Sequence, residues 1–97
     1  MKEKDIEWHG SSFDDLKKFP ASAMRAAGHQ IRKVQRYFEP SKWKPIKTVG
    51  AGAIEIIVDE NDGFFRVIYV AKFKDVVHVL HCFQKKSNKT SKGDIAL

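Results

Sequence analysis

Arg66, His81, Phe83, Lys85 and Lys86 place cations, an imidazole and an aromatic ring within two neighbouring apolar segments. Arginine and lysine hold phosphate, an aromatic ring stacks a base, and histidine moves a proton near neutral pH. Together these groups suit the binding and cleavage of RNA. The same residues also fit an amphipathic sheet whose outward charges are simply solvated. Spacing alone leaves both readings open.

The chemistry depends on which side chains share a face. Residues 64–73 and 76–83 are rich in Val, Ile, Phe and Tyr and read as strands, with Lys74-Asp75 as a tight turn between them. A two-residue turn pairs Phe73 with Val76, and therefore Tyr69 with Leu80, Ile68 with His81, Val67 with Cys82 and Arg66 with Phe83. Alternation then puts Phe65, Val67, Tyr69, Ala71 and Phe73 on one face with Val76, His78, Leu80 and Cys82. That face is predicted to pack on helices. The opposite face, which also takes Val77 and Val79, gathers Arg66, Lys72, His81 and Lys85 around an exposed Phe83. A one-residue slip would break this set.

The remaining elements follow from local signals. Ile6 to Trp8 reads as a short first strand. Ser11 and Ser12, each followed three residues later by an aspartate, resemble a capping box that opens a helix to about Lys18. Pro20 suits the start of a second helix reaching Phe38, with Met24, Ala27, Ile31, Val34 and Phe38 as its apolar stripe. Arg25, His29, Arg32 and Arg36 form a basic stripe on the same helix, and Gly28 interrupts it, a position that would permit close packing. Trp43 to Val49 reads as a basic connector or an irregular strand, Ala53 to Val58 as a strand, and Asp59 to Gly63 as a hairpin loop. A helix is predicted to start near Thr90 or Ser91. The order is β-α-α-β-β-β, an α+β domain with two N-terminal helices on one face of a small, mainly antiparallel sheet.

A chain of 97 residues, 42% hydrophobic, is expected to form one domain over residues 1–97. Its 18 Lys and Arg against 12 Asp and Glu give a net charge of +6, which favours anionic partners. Cys82 is the single cysteine, so no internal disulfide forms and an intracellular, cytoplasmic setting is expected. Within its apolar run Cys82 reads as a small core residue. No signal peptide is evident, and no apolar run approaches the ~20 residues that span a bilayer. No metal ligation is expected: His78 and His81, three apart on a strand, point to opposite faces, and His9 and His29 lie in other elements. No phosphate-binding glycine loop or other cofactor motif is present.

Trp8-His9-Gly10-Ser11-Ser12, Asp15-Leu16, Phe19-Pro20, Ile46-Lys47, Gly50-Ala51-Gly52, Glu55-Ile56 and Phe65-Arg66-Val67-Ile68-Tyr69 resemble the phage-derived, HigB-like branch of the RelE/ParE toxin superfamily. The most specific match is the run from Val79 to Ser87, Val-Leu-His-Cys-Phe-Gln-Lys-Lys-Ser, followed by Thr90 and Asp94-Ile95. The resemblance implies a RelE-like fold and a toxin partnered by a helix-turn-helix antitoxin. It also implies cleavage of mRNA, often on the ribosome. Three features depart from it. No basic residues stand in Glu55-Ile56-Ile57, the chain stops at Leu97 where the branch usually continues into a longer helix, and ParE-like members poison gyrase without cleaving anything.

The mechanism implied is metal-independent. The RNA 2′-OH attacks its own phosphorus and leaves a 2′,3′-cyclic phosphate. Arg66, Lys85 and Lys86 match basic positions of RelE-type nucleases and would stabilise charge on phosphorus. His81 would do acid–base work or serve a structural role, while Lys47, Lys72 and Phe83 would guide the RNA. The rivals are a ParE-like toxin that binds a protein such as gyrase, and an inactive relative that binds only its antitoxin.

Overall fold

The structure, a computed structural model, describes residues 2–71 and 75–86. The predicted helix near Thr90, the Phe73–Val76 pair and Lys72 lie outside the described residues. The elements are β1 (Asp5–Trp8), α1 (Ser12–Lys17), α2 (Ala21–Gln35), β2 (Trp43–Pro45), β3 (Ala53–Glu60), β4 (Gly63–Val70) and β5 (Val76–Lys85). They form one five-stranded sheet in the order β1-β5-β4-β3-β2. Among the described residues only the β1–β5 pair is parallel. The α+β reading holds with one strand added, since part of the basic connector pairs with β3 as β2.

Pro20 caps α2, as its fixed φ allows, but the helix ends earlier than the apolar stripe suggested. Tyr37 adopts a left-handed φ of 71°. The amides of Tyr37 and Phe38 then donate to the carbonyls of Val34 and Lys33 at 3.0 and 2.9 Å, a Schellman closure. Phe38 is left outside the helix and 65% exposed. The β3–β4 turn is also tighter than expected. Glu60 pairs with Gly63, leaving Asn61-Asp62 as a two-residue turn. Gly63 has a φ of 145°, and a Cβ there would meet the Gln84 side chain at 2.6 Å.

The core lies between the helices and one sheet face. Leu16, Phe19, Ala23, Ala27, Ile31 and Val34 pack on Ile56, Val58, Phe65, Val67, Tyr69, Val77, Val79 and Cys82. Ala23 and Ala27 let the α2 backbone approach closely, while Gly28 is exposed with open space where a Cβ would stand, which removes the close-packing explanation.

The predicted β4–β5 register holds for Arg66–Phe83, Val67–Cys82 and Ile68–His81, then slips: Tyr69 pairs with Val79 and Val70 with His78. Leu80 is the extra residue of a β-bulge. Beyond it the strand is inverted relative to the expectation, so Val77 and Val79 face the core where Val76 and His78 were predicted. Among the described residues no helix is long and apolar enough to cross a membrane.

Candidate functional site

Cross-strand pairs set Arg66 beside Phe83, His81 beside Ile68 and Lys85 beside Phe64. Arg66, His81, Phe83 and Lys85 therefore share the face opposite the helices, as the register required. Their exposure differs from the expectation. Arg66 is 2% and Lys85 3% exposed, and Phe83 is half-buried. Arg66 Nη1 donates to Asp59 Oδ1 at 2.7 Å and to the Phe65 carbonyl at 2.8 Å, and its Nε lies 3.9 Å from Glu55 Oε1. Lys44 Nζ reaches Glu55 at 3.6 Å and Lys42 Nζ reaches Asp59 at 3.9 Å. The acids of β3 thus compensate Arg66 within the sheet. The open cationic face predicted around Arg66 and Lys85 is corrected to a buried one, in which Asp59 and Glu55 compensate Arg66.

An accessible cleft lies beside it. β1 pairs with β5 only from Val76 to Val79, and α1 flanks the stretch of β5 that continues. The cleft is lined by Asp15, Lys18, Phe19, His81, Phe83 and Gln84, with Cys82 also contributing. The rings of His81 and Phe83 stack at 4.8 Å and 22°. Ser11 Oγ donates to Asp15 Oδ2 at 2.7 Å, and Lys18 stands 3.5 Å from the same carboxylate. The Ser11 hydrogen bond, the neighbouring Lys18 and the nearby His81 hold the Asp15 carboxyl below its ordinary range, against a smaller opposing effect of burial. Ser11 occupies the cap position of α1 without a side-chain capping bond, so the predicted capping box is a serine–aspartate pair four residues apart instead.

Burial, with the Asp15 charge, pushes the Cys82 thiol up to about 12, so it supplies no thiolate near neutral pH. Lys86 is exposed just past β5. Lys47 is exposed in the β2–β3 connection and does not line the cleft. Asp15 and Lys18 were missed in the sequence because they read as helix-end residues. Their only signal is the apolar-flanked α1, which the sheet order carries to the edge of β5.

The histidine arrangement also departs from expectation. The bulge at Leu80 returns His78 to the face of His81, since Val70 and Ile68, their partners on β4, lie on one side of that strand. The parallel β1–β5 pair sets Glu7 opposite His78 and brings His9 within 3.0 Å of it. The separation on which the absence of metal ligands rested is therefore corrected. Among the described residues, Glu7, His9 and His78 offer metal-type donors within 4.8 Å of one another.

A search of curated proteins gives no match to the chain. Among solved structures, the fold is shared with a chain of the crystallised RelBE2 toxin–antitoxin complex from Mycobacterium tuberculosis. The TM-score is 0.57 at 20% identity, over 90% of this chain and 97% of that one. The family described as Phage derived protein Gp49-like (DUF891) matches residues 14–97, and the chain belongs to that family.

Proposed function

We propose that the chain is a HigB-like toxin of the RelE type that cleaves mRNA, on the ribosome, and is held in check by a helix-turn-helix antitoxin. The observation that carries this reading is the His81–Phe83 stack, 4.8 Å between centroids, in a cleft that also holds Asp15 and Lys18. The phage-derived family, the shared fold and the net charge of +6 support it. In this reading a base stacks on the Phe83 ring and His81 takes the proton of the 2′-OH. The hydroxyl oxygen attacks phosphorus, the 5′-oxygen leaves with a proton from solvent, and a 2′,3′-cyclic phosphate remains. Lys18 and Lys86 hold the phosphate and offset its added charge. Arg66 and Lys85 shape the sheet from within. Lys47 guides the RNA from outside the cleft.

A second reading has one observation in its favour. Arg66, which matches a basic position of the nucleases, is compensated by Asp59 and Glu55. That arrangement suits a relative that binds a protein target such as gyrase, or only its antitoxin. Expression of the chain and of His81→Gln, with and without the neighbouring gene product, followed by mapping of mRNA 5′ ends, separates the readings. New 5′ ends that vanish in His81→Gln support the nuclease. Growth arrest with intact mRNA and DNA-damage signalling supports the gyrase reading, and no arrest at all supports the antitoxin-only reading.

A further inference from the structure

The last residues of β1 and the first of β5 meet outside the set of residues that line the proposed cleft. Glu7 and His78 are register partners across the parallel pair, so their side chains rise from one face of the sheet. His9 is held from both sides. Its amide donates to the Val79 carbonyl at 3.0 Å, and its own carbonyl accepts from Ser12 at 3.1 Å. Gly10, at a φ of 53°, makes the turn between them. The His9 backbone is thus fixed before any ligand arrives.

Three donor groups converge there. His9 Nε2 lies 3.0 Å from His78 Nδ1. Glu7 Oε1 is 3.8 Å from His9 Nε2, and Glu7 Oε2 is 3.8 Å from His78 Nδ1. Zinc takes imidazole nitrogen at about 2.0–2.1 Å and carboxylate oxygen at about 2.0–2.2 Å, which sets tetrahedral donors roughly 3.3–3.5 Å apart. The observed separations bracket that distance. Small rotations of partly exposed side chains close the difference.

The present contact is replaceable. Two imidazoles at 3.0 Å share one proton, with one nitrogen donating and the other accepting. An ion takes a lone pair from each ring, the shared proton moves to the far nitrogen of its own ring, and two coordinate bonds replace one hydrogen bond. Imidazole with a single carboxylate suits a d-block divalent ion. Magnesium and calcium want shells of oxygen. All three side chains reach solvent, so water can complete the shell.

We propose that Glu7, His9 and His78 form a three-ligand Zn²⁺ site, closed by water, that clips β1 to β5. The clip acts on a strand with only four paired residues, Asp5 to Trp8. It is independent of the RNA reading and uses none of the cleft residues.

The test uses the full chain without a histidine tag and Zn²⁺ as the probe. Calorimetry should give one ion per chain with a dissociation constant tighter than about 100 μM. Tm should rise by roughly 10 °C at a hundredfold excess over that constant. Co²⁺ should give the visible bands of a four-coordinate site. His9→Gln, His78→Gln and Glu7→Gln should each weaken binding at least about tenfold and abolish the Co²⁺ bands, with far-UV circular dichroism unchanged. His29→Gln, on the exposed side of α2, should bind as the wild type does. Binding weaker than about 100 μM, or binding that survives His9→Gln and His78→Gln, or an equal loss in His29→Gln, would overturn the assignment. Unaltered mRNA cleavage in these variants would leave it standing, because the site is read by binding and stability alone.

Discussion

The guanidinium of Arg66 and the carboxylate of Asp59 meet at 2.7 Å on adjacent strands, with Glu55 fully buried beside them. Removing the cation leaves buried negative charge with weaker compensation. Such losses run to about 3–5 kcal/mol. Arg66→Ala should therefore lower the urea midpoint sharply, and Arg66→Lys, which keeps the charge but not the planar fork, should fall between. A loss below about 1 kcal/mol in Arg66→Ala would show that the pair does not hold β3 to β4. Activity of these variants is meaningful only where circular dichroism shows them folded.

Proton transfer and RNA guidance are separable. His81→Gln should lower single-turnover cleavage by about 10²–10⁴ with little change in affinity. Lys47→Ala, at the guiding position outside the cleft, should weaken binding and reduce the salt slope by about one, at a nearly unchanged bound-state rate, whereas Lys86→Ala should lower that rate as well. Phe83→Leu should cost about 1–3 kcal/mol of affinity if a base stacks on the ring. Equal rates for wild type and His81→Gln would remove His81 from the chemistry.

Cys82 should resist alkylation near neutral pH. Its thiol is buried and pushed up to about 12. Iodoacetamide should label it only after unfolding, as read by mass spectrometry. Rapid labelling of the native chain would mean that β5 opens where it lines the cleft.

Gly28→Ala should stabilise the chain. The position is exposed, mid-helix, and has open space for a methyl group. The gain expected is about 0.5–1 kcal/mol, or roughly 3–6 °C in Tm. A lower Tm would mean that α2 is closer to a neighbour than its surroundings indicate.

Acid should remove two contributions together. The Arg36 hydrogen bond, helped by the charges of Arg32 and Arg36, holds the Glu3 carboxyl below its usual 4.5 despite an opposing effect of burial. The Ser11 hydrogen bond does most to hold Asp15 below its usual 3.8. A depressed folded value means the unfolded chain binds the proton more tightly. Each contribution is complete above the ordinary value and drains away as pH falls through the folded one. Glu3→Gln and Asp15→Asn should thus lose Tm at pH 7 and lose less of it than the wild type does on acidification below about 4. Parallel Tm–pH curves for wild type and variants would contradict this.

Local alternation made the site face legible where charge marks it. Arg66, His81, Phe83 and Lys85 alternate with buried apolar residues, so their pairing followed from the pleat alone. The bulge at Leu80 was not legible, because Val76, Val77, Val79 and Leu80 are all apolar and carry no period of two. The meeting of His9 with His78 depends on a parallel pairing between distant segments, which no local pattern encodes. The end of α2 at Tyr37 was hidden for a different reason: a left-handed tyrosine replaces the glycine that would have announced it. The burial of Arg66 needed the acids of β3 to be read as its partners.

The parallel pairing of β1 with β5 also dictates when the protein can finish folding on the ribosome. Asp5 is made early but hydrogen-bonds to a segment beginning at Val76, so the first strand waits while nearly all the intervening chain is synthesised. The helices and the β3–β4 hairpin can assemble before it. Closure of so long a loop delays the final sheet until β5 has been made. A nascent chain stalled before Val76 would lack the Val79 backbone contacts that anchor His9 and Ser12, and with them the packing of α1 that builds one wall of the cleft. The cleft is therefore complete only once β5 has been made and has captured β1.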